Sequence, residues 1–206
     1  MPVARAGTSI TRRSSDGGAR KGCGCRSAAA AANAWAPAPA CTPVAGAPNT
    51  VWAVDFQFDA TTDGRPVKIV SIVDEHTREC LGGLVDRSIT GDRLIDELDH
   101  LAAQRGYPAV LRCDNGPELA CEAMADWAGQ SVGLAFIPPG EPWRNGYIES
   151  FNSRVRDECL NINMFWSLTQ ARVVITDWKD DYNQRRRHSS LGYQTPAVYA
   201  AACTHR

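Results

Sequence analysis

The sequence predicts an α/β fold: a mixed five-stranded sheet, three antiparallel strands followed by parallel ones, flanked by helices. Three observations carry that expectation. Apolar, strand-like runs at residues 51–58, 67–74 and 80–87 are separated only by short turns, and short connections join antiparallel neighbours. Beyond residue 90 the apolar positions recur at three- and four-residue helical steps, alternating with two further short apolar runs, and helices inserted between strands build parallel sheet. The chain has 206 residues, 44% of them hydrophobic and 22% charged, enough for one sizeable core with an appendage.

Residues 1–49 supply the appendage. They are rich in Ala, Gly, Pro, Ser and Arg and poor in large aliphatic side chains, so they are expected to stay disordered as a basic tail, with a composition break near Pro48 and Asn49. The Ala-rich piece at 28–40 is interrupted by Asn33, Pro37 and Pro39, and no run approaches 18 apolar residues. Neither a secretion signal nor a membrane span is expected, and a cytosolic protein is the default.

From residue 50 each element has its own reason. Thr62-Asp63-Gly64 and Glu75 to Arg78 mark the turns of the meander, with Asp74 and Arg78 expected to fix the second. Thr90 or Asp92 caps a helix whose inner stripe is Leu94, Ile95, Leu98, Leu101 and Ala102, ending near Gly106-Tyr107-Pro108. The strand at 109–113 must then run parallel to the first after a helical crossover. A second helix is expected over 118–130 with Leu119, Met124 and Trp127 inward, then a strand at 134–137. A proline-rich loop through Pro142 and Trp143 leads to a helix bearing Glu149. A last long helix spans 167–182, with Leu168, Val174, Ile175 and Trp178 as its core side.

Three acids stand out against this frame. Asp55 interrupts Val51, Trp52, Val54, Phe56 and Phe58, and a carboxylate in so apolar a run needs a cation or hydrogen bonds. Asp114 follows Ala109, Val110 and Leu111 and precedes the turn Asn115-Gly116-Pro117, which puts it at the carboxyl end of a strand, where open α/β sheets bind ligands. Glu149 lies in the first turn of a helix with Ile148, Phe151, Val155 and Cys159 inward and Asn152, Ser153 and Arg156 beside it on the polar face. Singly, each is ordinary: a strand-end Asp, an Asp-Asn-Gly turn, a solvated helical Glu. Together they form the hard-oxygen donor set that suits Mg²⁺ or Mn²⁺ in proteins that cut or join phosphodiesters. Glu118 competes for the third place, but it opens the predicted second helix, where an acid suits the dipole.

The remaining polar features are weaker. Eight cysteines, with Cys23 and Cys25 the only close pair, fit neither a CxxC zinc site nor a disulfide framework, and free buried thiols are expected. The net charge of −1 divides into +5 over residues 1–50 and −6 over the rest, so affinity for DNA must be local. Arg185, Arg186, Arg187 and His188 form the one dense basic cluster of the core, suited to phosphate contacts and equally able to be a solvated charge run. Arg144, Asn145 and Arg156, around the Glu149 helix, are further DNA-contact candidates. Trp143 and Tyr147 suit either base stacking or core packing.

The set Asp55, then Asp114 in DNGPEL, then Glu149 in PWRNGYIESFNSRVRDE, followed by DYNQRRRHSSLGYQTPAVY, closely resembles the integrase catalytic core of DDE transposases. The nearest likeness is the second-frame product of insertion sequences of the IS-three group, relatives of retroviral integrases, over about residues 49–203. The resemblance implies a ribonuclease-H-like fold and metal-dependent DNA strand cleavage and strand transfer. It makes Asp55, Asp114 and Glu149 the catalytic triad, with two Mg²⁺ or Mn²⁺ ions, Asp55 bridging both. The implied partners are transposon ends and target DNA, further copies of the chain on paired ends, and a first-frame helix-turn-helix segment as partner or fusion. The implied location is the bacterial cytoplasm, at the nucleoid. The chain departs from the pattern in three places: Arg187 stands where proline is common, Arg144 where an acid or amide is common, and no helix-turn-helix segment is recognisable before residue 50, which suggests a truncated or frame-disrupted copy. A ribonuclease-H-like nuclease that only hydrolyses and a non-enzymatic DNA-binding remnant are the competing readings.

Overall fold

The computed structural model describes residues 44–129, 131–138 and 140–204; the expected tail, up to residue 43, lies outside them. The first strand, β1 (Val51–Ala60), pairs antiparallel with β2 (Pro66–Asp74) along its length, Trp52 opposite Asp74 and Ala60 opposite Pro66. Successive side chains of a strand point to opposite faces, and β1 uses both. Trp52 and Val54 join one core and Ala53 the other. Such two-sided burial requires helices on both faces.

The third expected strand, 80–87, is broken into β3 (Cys80–Gly82) and β4 (Val85–Asp86), both paired with β2. The break falls at Gly83, whose φ is +144° and where a Cβ would sit 2.1 Å from the Val70 carbonyl oxygen. Only glycine permits that approach. Pairing continues past the break because Val70 N–H donates to the Leu84 carbonyl at 2.9 Å.

Helix α1 (Gly91–Arg105) is capped by Thr90, whose hydroxyl accepts from Arg93 N–H, so Thr90 and not Asp92 is the cap. Its buried stripe is Leu94, Leu98, Leu101 and Ala102. The chain then enters β5 (Val110–Cys113), parallel to β1, passes α2 (Glu122–Ala128) and returns as β6 (Gly133–Phe136), parallel to β5. The sheet order is β3-β2-β1-β5-β6, with β4 also on β2. Helix α2 is shorter than the 118–130 expected. Leu119 and Ala120 N–H both turn back onto the Gly116 carbonyl at 2.9 and 2.8 Å, and Cys121 is extended.

A 3₁₀ turn (Pro142–Asn145) leads into α3 (Gly146–Val155), a π-type turn (Arg156–Leu160) and α4 (Leu168–Arg185), which Ser167 caps through Gln170 N–H. The inner stripe of α4 is Ala171, Ile175, Lys179 and Tyr182, with Leu168, Val174 and Trp178 half-buried beside it. A 3₁₀ turn (Ser189–Leu191) and α5 (Pro196–Thr204) follow. Helices α1 and α2 thus cover one face of the sheet, α3 and α4 the other. Among the described residues the cysteines are free thiols, and no helix is long and apolar enough to cross a membrane.

Candidate active site

Asp55 and Asp114 reach one cavity because β1 and β5 run parallel with Ala53 opposite Arg112, Asp55 two residues farther along β1 and Asp114 just past the end of β5. Asp55 sits on the face that α3 covers. One of its oxygens accepts from Phe56 N–H at 2.9 Å and the other from the Asn152 amide at 2.9 Å. Asn152 is itself buried, and its carbonyl accepts from Gln57 Nε2 at 2.6 Å, which clamps α3 to β1 beside the carboxylate. Asp114, just past β5, accepts from Gly116 N–H at 2.9 Å, and Asn115 Nδ2 ties the same turn to the Ile137 carbonyl at 2.8 Å.

Glu149 reaches the same place from the exposed side of the first turn of α3. Asp55, Asp114 and Glu149 line one cavity of about 330 Å³, together with Asn115, Ile137 and Asn145. Burial pushes the Asp55 carboxyl above its ordinary range; the Phe56 and Asn152 hydrogen bonds pull it back, and the charges of Asp114 and Glu149 raise it again. Among the described residues no group of three or more His, Cys, Asp or Glu side chains is arranged so that it could hold a metal ion as it stands; the three carboxylates line one cavity. Asn145 is 4% exposed, and its Oδ1 is buried on that wall without a hydrogen-bond partner. Across Glu149 a second, open cavity of about 540 Å³ is lined by Phe56, Phe58, Ser153 and Arg156.

Glu118 is elsewhere. It forms an ion pair with the buried Lys68, whose ammonium lies 4.3 Å from the Phe56 ring centroid. Burial raises the Glu118 carboxyl, but the Lys68 hydrogen bond and charge bring it below the usual carboxylate range. It stands in a turn, so the expectation that it opens α2 is corrected: its partner on β2 fixes its place, and the helix dipole does not.

The basic candidates fall into two groups. Arg156 donates to the Phe58 carbonyl at 2.9 Å beside the carboxylates, and Arg144 pairs with Glu141 in the approach to α3. At the end of α4, Arg185 is exposed and pairs with Asp181 at 3.1 Å, while Arg186 grips Glu158 with both guanidinium arms. Arg187 is exposed. His188 is half-buried with its ring 5.2 Å from that of Tyr182; burial, then the charges of Arg186, Arg154 and Arg78, hold its pKa below the ordinary value.

Two supports were not foreseen from sequence. One is Asn152, which orients Asp55. The other is a buried ion pair: Arg112 Nη1 reaches both Glu75 oxygens at 2.6 and 2.8 Å and the Arg144 carbonyl at 3.4 Å, with side chains 5% and 1% exposed. It fixes the loop that delivers Asn145 and Glu149. An Arg inside a strand, two residues before Asp114, was the available signal, since such a charge must be paired. Asp74 and Arg78 close their turn through Arg78 N–H to the Asp74 carbonyl, and the Asp74 carboxylate accepts from His76 and Thr77 N–H; no charge pair joins them.

Comparison with known proteins gives this arrangement its context. Two models described as integrase core domain match residues 45–136 and 130–196. A 31.7 kDa protein of insertion element IS407 from Burkholderia multivorans is 46% identical over 157 residues, covering 76% of this chain and 57% of that protein. A 39.2 kDa protein of insertion element IS476 from Xanthomonas euvesicatoria is 48% identical over 155 residues, covering 75% and 45%. The chain therefore spans about half the length of the curated relatives it matches. Among solved structures, the HTLV-2 integrase catalytic core domain in complex with magnesium superposes with a TM-score of 0.58 at 14% identity, over 76% of this chain and 99% of that one. The fold is ribonuclease-H-like, and the chain belongs to the integrase-core family, as an integrase catalytic core of the DDE transposases of IS-three-group insertion elements.

Proposed function

We propose that this chain cuts DNA at the ends of an insertion element and joins the freed 3′ ends to target DNA, in a divalent-metal-dependent reaction centred on Asp55, Asp114 and Glu149. Family membership makes DNA transposition by polynucleotidyl transfer the kind of activity. The observation that supports the finer reading is that three carboxylates, from the middle of β1, the end of β5 and the first turn of α3, line one cavity.

The donor set fits Mg²⁺ or Mn²⁺: three hard oxygen donors, with the unpartnered Asn145 Oδ1 on the same wall. Asp55, Asp114 and Glu149 would hold the ions. When bound, such ions supply Lewis-acid activation of the attacking water or 3′-hydroxyl and stabilise the departing 3′-oxygen. The chain's own part is positioning. Asn152 holds the Asp55 carboxylate toward the cavity, the Gly116 turn holds Asp114, and the Arg112–Glu75 pair fixes the loop ahead of Glu149. A relative whose core was solved with magnesium supports the choice of cation.

Around this centre we assign residues 1–49 to a basic tail and 50–203 to the catalytic core, acting as a homo-oligomer on paired DNA ends in the bacterial cytoplasm, with a first-frame helix-turn-helix segment as partner or fusion. Arg185, Arg186, Arg187, His188, Arg144, Asn145 and Arg156 are assigned to DNA. The test is Asp114→Asn on labelled element-end DNA with Mg²⁺. Binding should persist while cleavage and joining collapse; normal cleavage by the variant sinks the assignment. Hydrolysis without any joined product would favour a simple nuclease of the same fold.

A further inference from the structure

A third concavity lies across the first turn of α3 from the carboxylates. Gly146, Tyr147 and Ser150 line a groove of about 960 Å³ together with Arg78 and Trp143, whereas Asn145 and Glu149 of the same turn line the carboxylate cavity. Two large aromatics are displayed there: Trp143 is 69% exposed and Tyr147 48%. Side chains of that size normally bury most of their area, and this pair stands immediately before a candidate catalytic glutamate.

Arg78 is the groove's uncommitted cation. Its guanidinium carbon lies 3.5 Å from the Tyr147 ring centroid, and its Nη1 is buried without a hydrogen-bond partner. Among the described residues it forms no ion pair, while its neighbours are matched: Arg112 with Glu75, Arg105 with Glu79, Arg144 with Glu141. Arg78 also has φ of +62°, a left-handed conformation that a side chain other than glycine adopts only when its surroundings enforce it. Asp74 enforces it, taking the N–H groups of His76 and Thr77 on its carboxylate and that of Arg78 on its carbonyl at 2.9 Å. A rigid turn thus presents a planar, permanently charged donor fork with spare hydrogen-bonding capacity, stacked on an aromatic ring.

We propose that this groove is a subsite for unpaired DNA next to the cleaved phosphodiester: Arg78 takes a backbone phosphate, and Trp143 with Tyr147 stacks an unpaired base. This deepens the function proposed above, since the occupant is the nucleic acid whose phosphodiester meets the carboxylates. A strand crossing the first turn of α3 passes from one site to the other. Stacking is tolerant of sequence because every base offers a π-face, so the groove needs no particular base and reads single-strandedness.

The test uses the full chain without divalent metal and two fluorescent duplexes of arbitrary sequence, one blunt and one with a three-nucleotide unpaired tail. Omitting metal and element sequence separates the outcome from the cleavage assay: loss of the transposition reading leaves the tail preference measurable, and loss of the tail preference leaves Asp114→Asn informative. The unaltered chain should bind the tailed duplex more tightly. Trp143→Ala, at an exposed position that folding does not need, should lower tailed affinity by roughly 5- to 100-fold with blunt affinity unchanged. Arg78→Gln should weaken tailed binding and reduce its salt slope by about one phosphate contact. Three results overturn the proposal: no advantage for the tail in the unaltered chain, equal loss on both duplexes for Trp143→Ala, or millimolar inorganic phosphate abolishing an advantage that persists in Trp143→Ala, which would assign the groove to a small anion.

Discussion

The two faces of the sheet are built to different rules. On the α1 side, Trp52, Val54, Val70, Ile72, Leu94, Leu98 and Leu111 form a dry core, and the buried charge of Lys68 at its margin is matched by Glu118. On the α3 side, Asp55 stands opposite Ser71 in the β1–β2 register, and Gln57 Oε1, Ser71 Oγ, Asn145 Oδ1 and Asn152 Oδ1 are buried without a hydrogen-bond partner. Unsatisfied polar atoms cost stability and are rare in cores. Four such atoms lie on the side that carries Asp55, while the opposite face packs the sheet against α1 and α2.

The largest expected separation comes from Glu149→Gln. It removes a charge but little volume from an exposed helical position, so strand cleavage should drop on the order of a thousandfold or more, in keeping with the several kcal/mol a metal centre supplies. The melting temperature should stay within a few degrees. A variant that melts far earlier than the unaltered chain would mean that the α3 face is structural after all.

The converse change is Leu98→Ala on the other face. Leu98 is fully buried in α1, and truncating such a side chain costs about 2–5 kcal/mol. Urea denaturation should show that loss, and cleavage per folded molecule should be unaltered. A large fall in activity at full folding would show that the two faces are coupled.

Between these extremes lies Asn152→Ala. The Asn152 side chain bears on the site through its amide hydrogen bond to Asp55, so it is a positioning residue. Its removal should cost roughly 10- to 100-fold in activity, the usual range for groups that orient ligands. The apparent affinity for Mg²⁺ should weaken in parallel, and Asn152→Asp should not restore it, because a second carboxylate would repel Asp55. An unchanged Mg²⁺ dependence would reduce Asn152 to a packing role.

The contrast between the faces also decides what the sequence could reveal. Strand and helix periodicities are local, so β1, β2, β5, β6, α1, α3 and α4 were legible, and so was the parallel return of β5. The break at Gly83 was not, because the Val70 carbonyl that imposes it lies on another strand. The late start of α2 depends on Lys68, fifty positions away, and α5 escaped because PAVYAAACT carries no amphipathic stripe. The acids Asp55, Asp114 and Glu149 were legible as candidates since each sits in an informative local pattern. Their supports were hidden: Asn152 meets Asp55 across 97 positions and Arg112 meets Glu75 across 37, and nothing local in a helical Asn or a strand Arg names its partner.

The smallest expected effect concerns the Lys68–Glu118 charge pair at the margin of the dry face. Glu118 has a folded pKa below its ordinary value of 4.5; the native state therefore binds its proton less tightly than the unfolded chain does. The stability this contributes is fully present above about pH 4.5 and is lost as pH falls through the lower folded value. Glu118→Gln removes the charge and leaves Lys68, 8% exposed, without its acid. Partial exposure of the Glu118 side chain screens the pair, so the variant should be only about 1 kcal/mol less stable at neutral pH. Denaturation of both forms across pH 3 to 7 should show the gap closing below about pH 4.5. A gap that is constant across that range would mean that Glu118 serves Lys68 through shape and hydrogen bonding alone. The contact between β2 and the Glu118 turn would then owe nothing to charge.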